Sequence, residues 1–162
     1  MWVWGDGSYG QLGLGDQANR LALTLVGAQV AFGGLPVLMV ACGVFHSLVV
    51  NKNDTLWTFG SRYGGALSHN DCNTRLVPTH IKAQHFGNAK VVSVASGLSH
   101  SAAVTEEGTL YIWAQLRPLA CQQGGKVDAH AYCPKPAAGC ARQALPRSAT
   151  NARPRLCYGH AI

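Results

Sequence analysis

The stretch "ACGVFHSLVV" (residues 41–50) returns 54 residues later as "ASGLSHSAAV" (95–104). Both copies carry a small residue, a glycine, a His-Ser pair and a closing valine, so this is a repeat and not an isolated strand. Extending outward, a slide of 54 brings 32–60 onto 86–114 with 11 of 29 positions identical, among them Phe32, Gly33, Gly43, His46, Ser47, Thr55 and Leu56. A slide of 55 brings "WVWGDGSYGQLGLGDQANRLALTLV" (2–26) onto "WTFGSRYGGALSHNDCNTRLVPTHI" (57–81) with 8 of 25 identical. Average residue usage would give roughly two matches in each window. The one-residue change of offset falls between Ala28 and Phe32, where a loop can absorb it.

Each unit reads as four short strands. "VLMVAC" and "VVSVAS" are apolar runs that stop before Gly43 and Gly97. "SLVV" and "SAAV" follow the histidines. "DTLWTFG" and "GTLYIWA" come next, after turn signals at Asn53-Asp54 and Glu107-Gly108. "ALTLV" and "VPTHI" close the pattern. No part of 1–114 sustains a helical apolar stripe with caps. Four short strands in about 54 residues, punctuated by Gly, Asn and Asp, form the pattern of a propeller blade.

These residues resemble the regulator of chromosome condensation (RCC-type) repeat. The match rests on "ACGxxHSxxV…DTLWTFG…YGGAL…D…RLVPT" and on "VWGDGSYGQLGLGD", and it covers 2–114. The resemblance implies an all-β fold, a fragment of an RCC-type β-propeller with about two four-stranded blades. The expected division is a part-unit at 2–31, a unit at about 32–85, an incomplete unit at 86–114, and a tail at 115–162. The chain departs from the pattern at Leu23 (Pro78 in the other copy), at Asp54 (Gly108), at "ALSHND" in place of "QLGLGD", and at Ala114 where a glycine is expected.

The His-Ser pairs admit two readings. One makes His46 or His100 a general base or metal ligand, with Ser47 or Ser101 as nucleophile. The other makes each histidine a structural wedge at a strand start, its ring nitrogens bonded to nearby backbone. A catalytic group is needed once per site and a scaffold group once per blade, and no acid recurs beside the histidines to orient them. The structural reading is the expectation. It extends to Trp4, Gly5, Gly10, Leu12, Gly43, Trp57, Gly60, Gly65, Gly97 and Trp113 as structural repeat positions. The glycines serve turns or close backbone approach. The tryptophans, Trp2 included, are expected to pack between blades rather than to stack on bases. "GDGSYGQLGLG" has G-x-G spacing but no helix follows, so it is not read as a phosphate loop. The plant photoreceptor of this family clusters tryptophans to absorb ultraviolet light; too few blades are present here to build such a cluster.

Charge separates the body from the tail. Residues 1–114 carry six basic and six acidic side chains, whereas 115–162 carry seven basic residues and a single acid, Asp128, so the net +6 lies in the tail. The tail also holds five of the seven prolines and Cys121, Cys133, Cys140 and Cys157, with no apolar period, and is expected to be disordered. Its basic residues suit weak, sequence-independent nucleic-acid contact. Zinc ligation by Cys121, His130, Cys133, Cys140 or Cys157 is disfavoured because no C-x-x-C pair exists. No signal peptide is visible in "MWVWGDGSYG", so a reducing compartment, cytoplasmic or nuclear, is expected. Residues 25–45 are apolar enough to mimic a membrane span, but the equivalent slot 81–99 contains two lysines, which argues against membrane insertion.

Four blades of 54 residues need about 216 residues, against the 113 of 2–114. Open blade faces are therefore expected, to be covered by blades lying elsewhere. The functional expectation is a non-catalytic module that binds protein partners through propeller loops, without a cofactor. Two alternatives follow from what the resemblance implies: guanine-nucleotide exchange on a small GTPase, and substrate recruitment for a large HECT-type ubiquitin ligase.

Overall fold

The computed structural model describes residues 1–27, 31–71, 73–114 and 135–136. Among the described residues ten strands form three antiparallel sheets. The middle sheet is a complete meander: β3 (Val37–Cys42), β4 (His46–Asn51), β5 (Leu56–Gly60) and β6 (Arg75–His80) lie side by side in chain order. The third repeats it with β7 (Val91–Ser96), β8 (His100–Thr105), β9 (Leu110–Ala114) and a two-residue β10 (Lys135–Pro136). The first contains only β1 (Trp2–Gly5) and β2 (Arg20–Leu25).

The repeat in sequence is a repeat in register. In the middle sheet His46 faces Gly60 and Val49 faces Trp57; in the third His100 faces Ala114 and Ala103 faces Tyr111. The inner hairpins share an irregularity, between Val37 and Met39 and between Val91 and Ser93. The pair β1–β2 matches β5–β6: Trp2 faces Leu25 as Trp57 faces His80, and Gly5 faces Arg20 as Gly60 faces Arg75. It therefore corresponds to the outer half of the middle sheet. Its Asp16–Arg20 ion pair of 2.6 Å recurs as Asp71–Arg75, bridging the loop before each outer strand.

Apolar side chains alternate along the strands and fill the gaps between sheets. Leu48, Val50, Ala103 and Trp113 close the interface between the middle and third sheets, with Phe86 and Ile81 beside them. Val26, Phe32, Val49 and Phe59 close that between the first and middle sheets. Phe32 meets Trp57 edge-on at 6.1 Å. At the turn where the third sheet uses Gly108 (φ +78°), Asp54 takes the left-handed conformation (φ +57°) that Asp tolerates better than most residues, so the departure from glycine leaves the hairpin intact.

Lys135 and Pro136 belong to the stretch expected to be disordered, yet they pair with Ile112 and Tyr111. The outer edge of β9 is otherwise open there, and a proline is tolerated on an outermost strand. The rest of 115–162, including its cysteines and most of its charge, lies outside the described residues, as do the zinc and nucleic-acid expectations attached to it. Of the apolar stretch 25–45, residues 37–42 are strand β3. Among the described residues no helix is long and apolar enough to cross a membrane.

Candidate protein-binding face and the joint between sheets

The repeated histidine is a joint between sheets. His46 is buried at the start of β4, and its Nε2 lies 2.9 Å from Ser101 Oγ on the next sheet. Ser101 Oγ donates to the Ala66 carbonyl at 2.9 Å, and Trp113 Nε1 donates to the same carbonyl at 2.7 Å. A hydroxyl has one proton to give. Ser101 spends it on Ala66, so His46 must be the donor, neutral and protonated at Nε2. Burial first, and the neighbouring His100 second, push the His46 pKa down to about 4. The expectation of a backbone partner is thus corrected at Nε2, whose partner is a side chain of the following repeat. Chain distance hides such a contact, since the two residues are 55 apart.

Gly43 and Gly97 make room for these rings. A Cβ on Gly43 would come within 2.6 Å of both His46 Nδ1 and the Gly97 carbonyl, and one on Gly97 within 2.5 Å of His100 Nε2. Ser47 repeats the role of Ser101 one sheet earlier, donating to the Gln11 carbonyl at 2.8 Å. Gly10 and Gly65 are both turn residues with positive φ, and Leu12 is buried. Trp113 is buried at a sheet interface and Trp57 is half-buried. Trp2 and Trp4 depart from the expected packing: Trp4 is 64% exposed, whereas its repeat equivalents Phe59 and Trp113 are 1% and 2% exposed. Among the described residues no inner hairpin flanks β1, so nothing covers its indoles.

A second feature lies at the loop ends. Tyr9 packs on Phe45 with ring centroids 4.7 Å apart, and Phe45 meets Tyr63 edge-on at 6.5 Å. With Leu98, Thr74, Ser61 and Arg62 they line a cleft of about 700 Å³. Three loops supply the rings, and each is held by local hydrogen bonds. Tyr9 N–H donates to Gln11 Oε1 at 2.8 Å, Tyr63 N–H to Ser61 Oγ at 3.1 Å, and Ser61 N–H to the Phe45 carbonyl at 2.8 Å. Two exposed rings, Tyr9 and Tyr63, and the half-buried Phe45 thus form an apolar surface on braced loops, held at low entropic cost. Sequence reading missed these residues, although a signal existed. Phe45, Tyr63 and Tyr9 stand where the other copies have Ser99, Ser8 and Gly64. Scaffold positions repeat; these do not.

His69, on the middle sheet's loop, is also pushed down to about 4, by burial and then by Arg75, and its Nε2 lies 2.9 Å from Thr58 Oγ1. Among the described residues no group of three or more His, Cys, Asp or Glu side chains converges as a metal site. Both histidines pair with hydroxyls that are themselves engaged by carbonyls: His46 joins two sheets, and His69 ties a loop to β5 of its own sheet.

Four-stranded antiparallel meanders packed face to face, with His46 of one joined to Ser101 of the next, are blades of a β-propeller. The regulator of chromosome condensation (RCC1) repeat profile matches residues 1–50 and 53–104, and the chain belongs to that family. It is 36% identical over 113 residues to the ultraviolet-B receptor UVR8 of Arabidopsis thaliana, covering 70% of this chain and 24% of the receptor. It is 34% identical over 112 residues to the probable E3 ubiquitin-protein ligase HERC4 of Mus musculus, covering 68% of this chain and 10% of the ligase. The structure superposes on Prp20p of Saccharomyces cerevisiae with a TM-score of 0.62 and 25% identity, over 74% of this chain and 29% of Prp20p. The chain thus spans a quarter or less of the length of these two relatives.

Proposed function

We propose that this chain is a non-catalytic protein-interaction module that engages a protein partner through its loop face, at the cleft of Tyr9, Phe45 and Tyr63. The observation that carries this reading is the aromatic row, with Tyr9 and Tyr63 exposed, on braced loops at positions where the repeats differ. Prp20p, described with its binding to Gsp1p and histones, supports a protein ligand for such a fold. A photocrosslinker placed at position 63 is expected to capture a discrete protein in cells, with capture lost on Tyr9→Ser or Phe45→Ser. The same probe at Thr79, on the outer strand, is expected to capture none. Equal capture from both positions, or none from position 63, would overturn the proposal.

A second reading is guanine-nucleotide exchange on a small GTPase, favoured by the likeness to Prp20p. Release of labelled GDP from Gsp1p, with and without the chain, tests it; a rate equal to the unassisted one removes it. Recruitment for a ubiquitin ligase is the third reading, supported by the likeness to HERC4, whose match to this chain covers only 10% of the ligase. A ligase domain joined to these repeats in one polypeptide is its requirement.

A further inference from the structure

The loop cleft has a shape and a charge that select among peptides. The two interfaces between sheets differ there. Between the first and middle sheets Tyr9 packs on Phe45. Between the middle and third sheets the equivalent pair is Gly64 and Ser99, so close that a Cβ on Gly64 would come within 2.6 Å of the Ser99 carbonyl oxygen. The first interface therefore ends in a ridge of rings and the second in a hollow, beside which Tyr63 and Leu98 are 57% and 60% exposed. We propose that this cleft binds a proline-rich segment in the polyproline II conformation that carries an acidic side chain. The proposal rests on the protein-binding reading of the same cleft.

Spacing, polar groups and charge each favour that ligand. Neighbouring ring centroids stand 4.7 and 6.5 Å apart. Two residues of polyproline II advance about 6 Å, so every second residue can lie between successive rings. None of the lining residues lies in a strand, so the cleft presents no sheet edge for an added strand to pair with. Polyproline II makes no internal hydrogen bonds, and its carbonyls are all open as acceptors. Ser61 Oγ accepts from the Tyr63 N–H and Thr74 Oγ1 from the Arg62 N–H, and each hydroxyl keeps its own proton to give. Arg62 is the one charged side chain among the described lining residues. A cation over the rings would need the opposite sign nearby, whereas a carboxylate on the ligand finds its complement. The chain's own Pro146 and Pro154 stand beside Arg147, Arg153 and Arg155, the wrong sign for this site.

The probe is a short synthetic peptide of prolines with one central glutamate, capped at both ends and titrated into the full chain. Saturable 1:1 binding is expected, with amide shifts concentrated at Tyr9, Phe45 and Tyr63. Replacing the peptide prolines by alanine should weaken binding about tenfold or more, because the chain must then be ordered on binding and the ring contacts are lost. Phe45→Ser should do the same. Exchanging the glutamate for lysine should weaken binding about threefold, the scale of an exposed ion pair. A peptide of residues 144–156 should bind more weakly than the acidic one. The peptide variants cannot disturb the fold of the chain, so their results stand even if Phe45→Ser is unstable. No saturable binding, equal affinity for the alanine peptide, tighter binding of the lysine peptide or of residues 144–156, or shifts away from the cleft would overturn the proposal. Capture of a protein from position 63 by a chain that ignores the peptide overturns the proline-rich assignment and spares the protein-binding reading. Absence of both removes both.

Discussion

His46 is the residue on which the joint turns. Truncating Ser101 to alanine removes the acceptor of a buried imidazole N–H, and an unsatisfied buried donor costs about 1–3 kcal/mol. Ser101→Ala is expected to lower stability by that amount in denaturant titration. Ser47→Ala should cost less, because no histidine stands over it. The depressed histidines give a pH signature. His46 and His69 fall from 6.5 to about 4 on folding. Between those values the unfolded chain binds more protons than the folded one, so their stabilising contribution is complete above pH 6.5 and is lost as pH falls through 4. The midpoint of thermal unfolding should therefore drop between pH 6.5 and 4, by less in His69→Gln than in the parent. Asp54→Gly, which relieves a left-handed φ of +57° at a surface turn, should leave stability unchanged or raise it by a few tenths of a kcal/mol. At this scale the sequence was readable only in part. The scaffold expectation for His46 followed from its repetition. Its partner did not, because adjacency between sheets is set by how blades stack and leaves no periodic trace.

At the level of elements, the strands were legible almost throughout, since glycine, Asp and the His-Ser pair punctuate each one. The loop cleft was not: it is assembled from three segments whose residues matter because they break the pattern. Hydrogen exchange should separate the elements. The amides of β4 and β8 are enclosed by strands on both sides and by sheets above, and should exchange slowest. Those of β1, which among the described residues pairs with β2 alone, should exchange far faster than those of β5, its counterpart. Gly60→Ala forces a side chain against the backbone of Phe45 and His46 and should destabilise more than Gly5→Ala, where the strain is conformational alone. Comparing the two melting curves isolates the contribution of the neighbouring strand.

For the whole molecule, the expectation of about two four-stranded blades with open faces matches the three sheets seen. What composition could not say is which tryptophans would be covered. Trp4 and Trp113 occupy equivalent positions, and only the presence or absence of a neighbour distinguishes them. The joint also has a direction. In the joint seen among the described residues the histidine reaches forward, from His46 to Ser101 of the next repeat, and the Asp-Arg clasp and hairpin order run the same way in each sheet that has them. Such a coupling is vectorial, like a zip whose teeth all lean one way. Units of this kind can be duplicated, deleted or exchanged between proteins without redesigning the seam, provided their order of travel is kept. A reversed unit would bring histidine against histidine and serine against serine, so growth of the ring by copying is permitted and growth by inversion is barred.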